Sequence, residues 1–332
     1  MKKVNIEEVF NLFSGLKVLI IGDAMIDSYW WGKVDRISPE APIPIVTVTK
    51  QEDRLGGAGN VALNIQALGA KPILTSILGD DEKGKVFRKL MDKNQLTSEA
   101  LFIDSARMTT VKTRIISGGQ QISRVDQETS LPILPELENK IFEKITNIID
   151  NQEINVVIFV DYDKGLITKS LIKNVIELAK SKKILTVADP KSRNFNHYNQ
   201  VDLFKPNFKE FRDGLHLQIE KTDFEAIKIS AEKFKIENNI GLIFITLSEL
   251  GVFMSNGESR NYYPAEVRDI ADVSGAGDTV AATASLCFAA GLSMPVMAQL
   301  SNIAGGLVCE KLGVVPIDQE LLKKEAKKIR LI

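Results

Sequence analysis

Short, almost entirely apolar runs alternate with stretches of helical spacing along the 332 residues of the chain. KVLIIG at 17–22 and GLIFITL at 241–247 are typical of strands that are buried on both faces. Similar strands are predicted at 72–78, 154–161, 184–190 and 201–207, and helices at 60–69, 82–94, 135–150, 168–181, 222–238, 277–291 and 294–312. Buried strands separated by helices predict an α/β fold with a mostly parallel sheet covered on both faces.

Two stretches interrupt this alternation. Residues 28–50 combine aromatic and β-branched residues with three prolines and show no helical period. Residues 107–126 resemble a hairpin with strands at 109–117 and 121–126 that turns at Gly118 and Gly119. Both stretches are predicted to project from the main sheet as a small β-lid. Because no repeat or flexible linker is evident, we expect one domain over residues 1–332.

The charge balance excludes several classes of partner. The chain has 42 basic and 43 acidic residues and a formal net charge of -1, so we expect neither nucleic acid nor a membrane surface as a partner. No run approaches the roughly 20 apolar residues of a membrane span. Residues 1–15 lack the uninterrupted apolar segment of a signal peptide. These observations predict a cytoplasmic protein.

Histidine and cysteine are scarce. With only His197 and His216, a histidine-rich metal cluster and most Ser-His-Asp arrangements are nearly excluded. Cys287 and Cys309 lie in apolar helical stretches, and we expect two reduced thiols rather than a disulfide.

Polar residues follow several of the predicted strands. A single aspartate at a strand end is usually a turn former or a helix cap. Ligands of open α/β sheets bind outside the carboxyl ends of the strands, so a set of such residues predicts a binding site at this edge. The set is Asp23, Asp27, Asp161, Asp189 and Asn207.

The stretch DVSGAGDTVAATASL, residues 272–286, combines glycines with an aspartate at the start of a helix. One interpretation is structural, with Asp278 as the helix cap. The other is chemical, because amides at a helix N-terminus attract phosphate. In phosphoryl transfer to an alcohol, the amides of Ala276, Gly277 and Asp278 would stabilise the developing charge. The Asp278 carboxylate would accept the hydroxyl proton.

Two nucleotide-binding motifs are matched only in part. GDDEKGKV at 79–86 resembles a P-loop, but Val86 lacks the hydroxyl for Mg²⁺ and three acidic residues would repel phosphates, so a strand-to-helix turn is expected. GAGNVA at 57–62 matches a dinucleotide fingerprint, but the preceding KQEDRL is not a buried strand. We therefore expect Gly56 and Gly57 to bring the backbone close to a polar ligand.

Two longer stretches identify a family resemblance. GGAGNVALNIQALGAKPILTSILG at 56–79 and DVSGAGDTVAA at 272–282 resemble the two signatures of the ribokinase/phosphofructokinase-B carbohydrate kinases, in the same order and separation. Thr283 stands where the second signature prefers Gly or Ala. The resemblance implies a ribokinase-like three-layer α/β/α sandwich with a small β-lid, and an ATP- and Mg²⁺-dependent sugar kinase. The sequence leaves open whether a monovalent cation assists.

Within that family, narrower stretches resemble the heptose 7-phosphate kinases. They are SPEAPIPIV, KTRIISGGQQISRVDQE, DYDKG, ADPK, KPNFKEF and TLSELGV, and the match extends over about residues 5–315. The resemblance implies phosphorylation of the anomeric hydroxyl of heptose 7-phosphate on the way to ADP-heptose and lipopolysaccharide. In many bacteria this kinase is fused to a nucleotidyltransferase. The chain stops after the kinase part, so we expect a separate enzyme for that later step.

The resemblance also implies roles for single residues. Asp278 would be the catalytic base, and Gly275, Ala276 and Gly277 the anion hole. The substrate would be held by Asp23, Asp27, Gly56, Gly57, Asn60, Arg114, Gln121, Arg124, Asp161 and Lys164. The nucleotide would be held by Lys191, Asn207, Glu210, Ser248, Gly251 and Asn302, with Asn207, Glu210 and Asp189 organising Mg²⁺ through water. Spacing alone equally allows Asn207 and Glu210 to form a capping box.

Three alternatives remain open from the sequence. The chain could be a kinase of the same family for another sugar, sugar phosphate or nucleoside, or a non-catalytic sugar or nucleotide sensor. An oxidoreductase rests only on the GAGNVA match. The resemblance further implies a homodimer formed through the lid at residues 28–50.

Overall fold

A nine-stranded sheet lies at the centre of the fold. The computed structural model describes residues 5–266 and 268–328. Within these residues, the order of the main sheet is β13-β12-β11-β10-β9-β8-β1-β4-β5, and a second sheet has the order β3-β2-β6-β7. The strands are β1 (Lys17–Gly22), β2 (Ala24–Ile37), β3 (Pro44–Gly57), β4 (Lys71–Gly79), β5 (Leu101–Asp104), β6 (Thr110–Ser117), β7 (Gln120–Gln127), β8 (Val156–Val160), β9 (Leu185–Asp189), β10 (Leu203–Phe204), β11 (Leu242–Thr246), β12 (Val252–Ser255) and β13 (Arg260–Tyr263).

Helices cover both faces of the main sheet. They are α1 (Ile6–Ser14), α2 (Ala58–Ala67), α3 (Glu82–Lys93), α4 (Pro135–Asn151), α5 (Lys169–Ser181), α6 (Phe208–Gly214), α7 (Phe224–Glu237), α8 (Ala276–Ala289), α9 (Met294–Cys309) and α10 (Gln319–Lys328). Strand β1 explains the layering, because Val18 and Ile20 pack with α1–α3 and α8–α10, whereas Leu19 and Ile21 pack with α4–α7. Successive side chains of a strand point to opposite faces. The predicted three-layer α/β/α sandwich is confirmed.

The main sheet is mostly parallel, as predicted. Strands from β11 across to β5 pair in parallel, and β12 and β13 add antiparallel pairs at one edge. The pattern did not predict β12, β13 or the short edge strand β5. Strand β10 is shorter than the predicted 201–207, since Pro206 cannot donate to a ladder.

The second sheet contains both stretches predicted as a lid. Strands β2 and β3 pair antiparallel over their length, β2 pairs with β6 in parallel, and β6 forms a hairpin with β7. The hairpin turns at Gly118 and Gly119, both with positive φ. Strand β2 begins two residues after β1 ends, so the lid sheet starts at the carboxyl edge of the main sheet.

Other local expectations can be compared with the structure. Residues 50–55 are not a buried strand, as expected, because they lie in antiparallel β3 of the second sheet and only Leu55 among them is buried. The turn at 79–82 is as expected, because Asp81 caps α3 through Gly84 N at 2.7 Å. Cys287 and Cys309 are free thiols. Among the described residues no helix is long and apolar enough to cross a membrane, and residues 1–4 of the predicted N-terminal segment lie outside them.

Candidate active site

The site lies at the carboxyl edge of the main sheet, where the strand order reverses. Strand β1 pairs with β4 on one side and β8 on the other, and the chain runs outward from both. Asp23 directly follows β1 and Asp161 directly follows β8. Such a switch point is where ligands of open α/β sheets bind.

Helix α8 begins at this edge without a side-chain cap. Its N-cap is Gly275 in the left-handed conformation, with φ of 82°. A Cβ at Gly275 would lie 3.0 Å from Asn60 Nδ2, so a larger residue would be strained and would crowd this amide. Asp278 is the third residue of the helix and does not cap it, so the structural interpretation of this aspartate is wrong.

The first turn of α8 has amides available for a ligand. Ala276 N already donates to Val273 O at 3.3 Å, which removes one of the three predicted donors. In the part of the chain that the structure describes, Gly277 N and Asp278 N donate to no protein acceptor. A Cβ at Gly277 would meet no atom within 4 Å. Open space in front of free helix-start amides suits an anion.

The Asp278 carboxylate is buried, with 3% of the residue exposed. Asn60 Nδ2 donates to one of its oxygens at 2.8 Å, and the Tyr162 hydroxyl donates to the other at 2.6 Å. Burial raises the pKa of Asp278 to about 7, and the charges of Asp189 and Asp27 add to this, while the two hydrogen bonds oppose it. A carboxyl with a pKa near neutrality suits a general base.

Asn64 fixes the orientation of Asn60 and was not predicted. Its Nδ2 donates to Asn60 O at 2.9 Å and to Asn60 Oδ1 at 3.2 Å. Its Oδ1 accepts from Thr279 Oγ1 and from Ile317 N, both at 3.0 Å. The Asn60 Nδ2 group is thereby directed to Asp278. Two asparagines four residues apart in NVALN were the available signal, since they share a helix face.

Asp23 holds the loop that follows β8. Its carboxylate accepts from Tyr162 N at 2.9 Å, Lys164 N at 3.1 Å and Leu166 N at 3.3 Å. Burial raises the pKa of Asp23, and these hydrogen bonds oppose the shift. Its predicted contact with a sugar hydroxyl stays a prediction.

Asp161 is likewise occupied by protein partners. One oxygen accepts from Asp163 N at 2.9 Å, and the other from Asn194 Nδ2 at 2.9 Å and the Tyr198 hydroxyl at 2.8 Å. Burial raises the pKa of Asp161 to about 6, followed by the charge of Asp23. This geometry favours a loop-holding role over the predicted substrate contact.

Gly56 and Gly57 allow close approach, but to protein groups. A Cβ at Gly56 would collide with the Asp27 carboxylate. A Cβ at Gly57, where φ is +54°, would lie 2.6 Å from Asp23 O. Asp27 in turn forms a buried ion pair with Arg114. Arg114 therefore contacts Asp27 in this structure, and its predicted role as a phosphate ligand stays a prediction.

The other predicted lid residues lie on exposed β7. Arg124 forms an ion pair with Asp126 at 2.9 Å, with 49% of its side chain exposed. Gln121 is exposed next to the hairpin turn. The structure does not bring either side chain into the cluster around Asp278 that it describes.

Lys112 belongs to the KTRII stretch quoted above, and no role was predicted for it. Its ammonium group lies beside the ring of Tyr162, which hydrogen-bonds to Asp278. Its Nζ is 5.8 Å from the centre of the Tyr162 ring. Within the described ranges it forms no ion pair, because the nearby carboxylates of Asp126 and Glu128 pair with Arg124 and Lys164. Lys164, nearby, pairs with Glu128 at 2.9 Å. Burial lowers the pKa of Lys112 and the charge of Lys164 lowers it further, while the charges of Asp126 and Glu128 oppose the shift. A half-buried ammonium without a carboxylate partner suits an anionic ligand.

The nucleotide-side residues form two ion pairs. Lys191 pairs with Glu210, and Lys205 pairs with Asp189 at 2.9 Å. Burial raises the pKa of Asp189 to about 6, while Lys205 opposes the shift. Lys205 lies in the quoted KPNFKEF stretch, but no role was predicted for it. Its side chain is only 2% exposed, so Asp189 is its buried counter-ion.

Asn207 and Glu210 form the capping box that their spacing allowed. Asn207 Oδ1 accepts from Glu210 N at 2.8 Å, and Glu210 Oε2 accepts from Asn207 N at 2.9 Å. Across residues 5–266 and 268–328, no group of three or more His, Cys, Asp or Glu residues could hold a metal ion directly. Glu210 and Asp189 each pair with a lysine, and their role in organising Mg²⁺ through water stays a prediction.

The segment at residues 263–264 contacts both the Asn302 side chain and the turn that runs from Ser248 to Gly251. Asn302 Nδ2 donates to Tyr263 O at 3.2 Å and to Pro264 O at 3.1 Å. Gly251 has φ of 90°, and a Cβ there would collide with Tyr263 O. Gly251 N donates to Ser248 O at 3.0 Å, which closes a turn. The structure brings the three together, and their nucleotide contacts stay a prediction.

Comparison with known proteins supplies the family. The model of the pfkB family carbohydrate kinases matches residues 16–320. The chain belongs to the pfkB carbohydrate kinase family. Membership confirms the expectation of an ATP-dependent sugar kinase at the level of the family, which in general uses ATP with a divalent metal.

Curated relatives share more than a third of the residues. The "Bifunctional protein HldE" of Syntrophotalea carbinolica is 37% identical over 324 residues, which cover 97% of this chain and 65% of the relative. The protein of the same description from Caulobacter vibrioides is 39% identical over 307 residues, covering 91% and 61%. The chain thus spans less than two thirds of the length of these relatives.

Solved structures of the same fold are more distant in sequence. Phosphofructokinase-2 from Escherichia coli in complex with potassium has a TM-score of 0.77 and 16% identity, over 93% of this chain and 97% of that chain. Ribokinase from Arabidopsis thaliana complexed with ribose and ATP has a TM-score of 0.72 and 16% identity, over 93% and 99%. At this identity the likeness confirms the ribokinase-like fold.

Proposed function

We propose that the chain transfers the terminal phosphoryl group of ATP to the anomeric hydroxyl of D-glycero-D-manno-heptose 7-phosphate. The product is the 1,7-bisphosphate, an intermediate in ADP-heptose and lipopolysaccharide core biosynthesis. Family membership and relatives described as HldE support this proposal, together with the narrower sequence stretches at 38–46 and 112–128. The proposal includes a single kinase domain over residues 1–332 and a cytoplasmic location.

The observation that carries the proposal is the uncapped start of α8 with Asp278 in its first turn. The Asp278 carboxylate would accept the proton of the sugar hydroxyl, which makes the oxygen a better nucleophile. The amides of Gly277 and Asp278 would stabilise the charge that develops on the transferred group. Because these donors are fixed before the substrate binds, they require little reorganisation during the reaction.

ATP and a divalent cation complete the proposed chemistry. Lys191 lies 5.5 Å from the Tyr162 ring, and we assign it to the phosphates of the nucleotide. Glu210 and Asp189 would contact a Mg²⁺ ion only through water, because each carboxylate is paired with a lysine. When bound, the ion would neutralise phosphate charge. Assistance by a monovalent cation stays a prediction.

The lid supports a phosphorylated sugar as the substrate. A sugar phosphate requires a cation that an unphosphorylated sugar does not, and Lys112 is available near Tyr162. Arg114 is occupied by Asp27, and Arg124 by Asp126. We therefore assign the phosphate of the sugar to Lys112 ahead of the two arginines.

ATP consumption by the purified protein tests the proposal. Heptose 7-phosphate, fructose 6-phosphate, ribose and buffer are compared, and turnover is expected with the heptose phosphate. Asp278→Asn is expected to lower kcat/KM by at least about 100-fold, because it removes the base. Lys112→Met is expected to raise KM for the heptose phosphate about tenfold, the loss of one charge-assisted contact.

The control for Asp278→Asn is Asp92→Asn, which makes the same chemical change on an exposed position of α3. It should retain the wild-type rate. Turnover with another sugar in place of the heptose phosphate would support the assignment as a kinase and contradict the assignment of heptose 7-phosphate as the substrate. Binding of a sugar without any phosphorylation would show a sensor and overturn the proposal.

We also propose a homodimer through the lid. Its exposed apolar side chains support this, since such a patch is costly in water. They include Val34, Ile37, Ile43, Val48, Ile122 and Val125. Sedimentation of Ile37→Ser/Ile43→Ser should give half the mass of the wild type, and an unchanged mass would sink the idea.

A further inference from the structure

We propose that Tyr162 is a positioning residue for the base, and that its hydroxyl orients the Asp278 carboxylate and stabilises its charged form. The inference rests on the proposed function in so far as Asp278 is the base. It assigns a role to a residue that the sequence analysis did not include.

Tyr162 is held at both ends. Its backbone N–H donates to Asp23 at 2.9 Å, and its hydroxyl donates to Asp278 Oδ1 at 2.6 Å. The ammonium groups of Lys112 and Lys191 lie 5.8 Å and 5.5 Å from the centre of its ring. The hydroxyl is therefore directed at one oxygen of the carboxylate, while Asn60 determines the position of the other.

Tyr162 acts as a donor and not as an acid or base. Burial raises the pKa of the Tyr162 hydroxyl well above its ordinary value, followed by the negative charge of Asp278. The hydroxyl consequently stays protonated at neutral pH, where it can donate a hydrogen bond. A hydrogen bond donated to a carboxylate stabilises its charged form and lowers its pKa.

The groups around Asp278 shift its pKa in opposite directions. Burial raises its pKa, and Asp189 from β9 and Asp27 from β2 raise it further. Asn60 from α2 and Tyr162 from the loop after β8 lower it. Loss of the Tyr162 hydroxyl removes one of the two opposing contributions. The pKa of Asp278 should then rise above about 7, leaving less charged base at neutral pH.

A second tyrosine–carboxylate pair provides a matched control. The Tyr198 hydroxyl donates to Asp161 at 2.8 Å, close to the 2.6 Å of the Tyr162–Asp278 pair. Both tyrosines contact a buried carboxyl whose pKa is raised. Tyr198→Phe therefore removes the same group from an equivalent environment, without touching the base.

The pH dependence of kcat/KM is the first test. In Tyr162→Phe the acidic limb should move upward by about one pH unit, the effect of one hydrogen bond to a charged group. In Tyr198→Phe the acidic limb should not move, even if that variant unfolds at a lower temperature. An unmoved limb in Tyr162→Phe, or an equal shift in both variants, would overturn the proposal.

A second measurement does not depend on catalysis. Carbon-13 NMR of the aspartate carboxyl groups can follow the titration of Asp278, assigned by the signal that Asp278→Asn removes. An upward shift in Tyr162→Phe supports the proposal, and an unchanged pKa contradicts it. If the wild type phosphorylated no sugar, the kinase proposal would fail, while the titration would still decide the role of Tyr162.

Discussion

Helices α8 and α6 both begin at the carboxyl edge of the main sheet, but their first turns differ. In α6, Asn207 and Glu210 satisfy each other's backbone amides in a capping box. In α8, Gly275 occupies the N-cap position without a side-chain acceptor, and the Gly277 and Asp278 amides have no protein partner within the described chain. The third amide of α6, that of Glu210, is therefore taken up by the Asn207 side chain, whereas the equivalent amide of α8, that of Asp278, is open to an anion.

The difference follows from the residues at the N-cap. Asparagine supplies an oxygen that takes up one orphan amide, which stabilises the helix and withdraws that donor from ligands. Glycine supplies none, so α8 gives up that stabilisation and keeps an open anion site. The stability that α8 gives up is offset by its packing, because every residue from Thr279 to Cys287 is buried.

Gly277→Ala should separate stability from activity at the open helix start. A Cβ at Gly277 meets no protein atom within 4 Å, and alanine favours a helix by up to about 1 kcal/mol over glycine. The free energy of unfolding should therefore stay equal or rise. The same methyl group would obstruct the approach of the phosphate, so kcat/KM should fall about 100-fold, as when an oxyanion-hole donor is lost.

Denaturant unfolding and ATP consumption measure the two effects of Gly277→Ala. Gly15→Ala is the control, since Gly15 is exposed, has φ of -83° and would bring its Cβ no closer than 3.5 Å to Leu12 O. It should leave both quantities near the wild type. Full activity in Gly277→Ala would place the phosphate elsewhere and remove the functional distinction between the two helix starts.

The sequence predicted the fold well because the spacing of apolar residues along the chain indicates which positions are buried. The strand at 17–22 matches β1 to the residue, and the helix at 82–94 matches α3 within one residue. Strands β12 and β13 were missed because an antiparallel edge pair carries no crossover helix to reveal it. The spacing of apolar residues does not show which strands pair, so this antiparallel pair is visible only in the structure.

For the site, the sequence predicted which residues lie there better than it predicted their hydrogen-bond and ion-pair partners. Asp278, Asn60 and Gly275 come together as expected. The partners of Asp27, Asp161 and Asp189 could not be predicted, because the residues that neutralise or hydrogen-bond them lie up to 87 positions away. Tyr162 was overlooked because a tyrosine after a strand carries no signal of its own; its role appears only from its distance to Asp278.

Asn207→Ala tests the closed helix start and should have the smallest effect. Loss of the cap should lower the free energy of unfolding by about 1 kcal/mol, and Asn207→Asp, which can still cap, should restore it. If the capping box is the main role, kcat/KM at saturating Mg²⁺ should change less than about threefold. A large loss of activity with normal stability, relieved by higher Mg²⁺, would instead assign Asn207 to the cation. Both helix starts would then serve the reaction, with α6 acting through its side chain and α8 through its backbone.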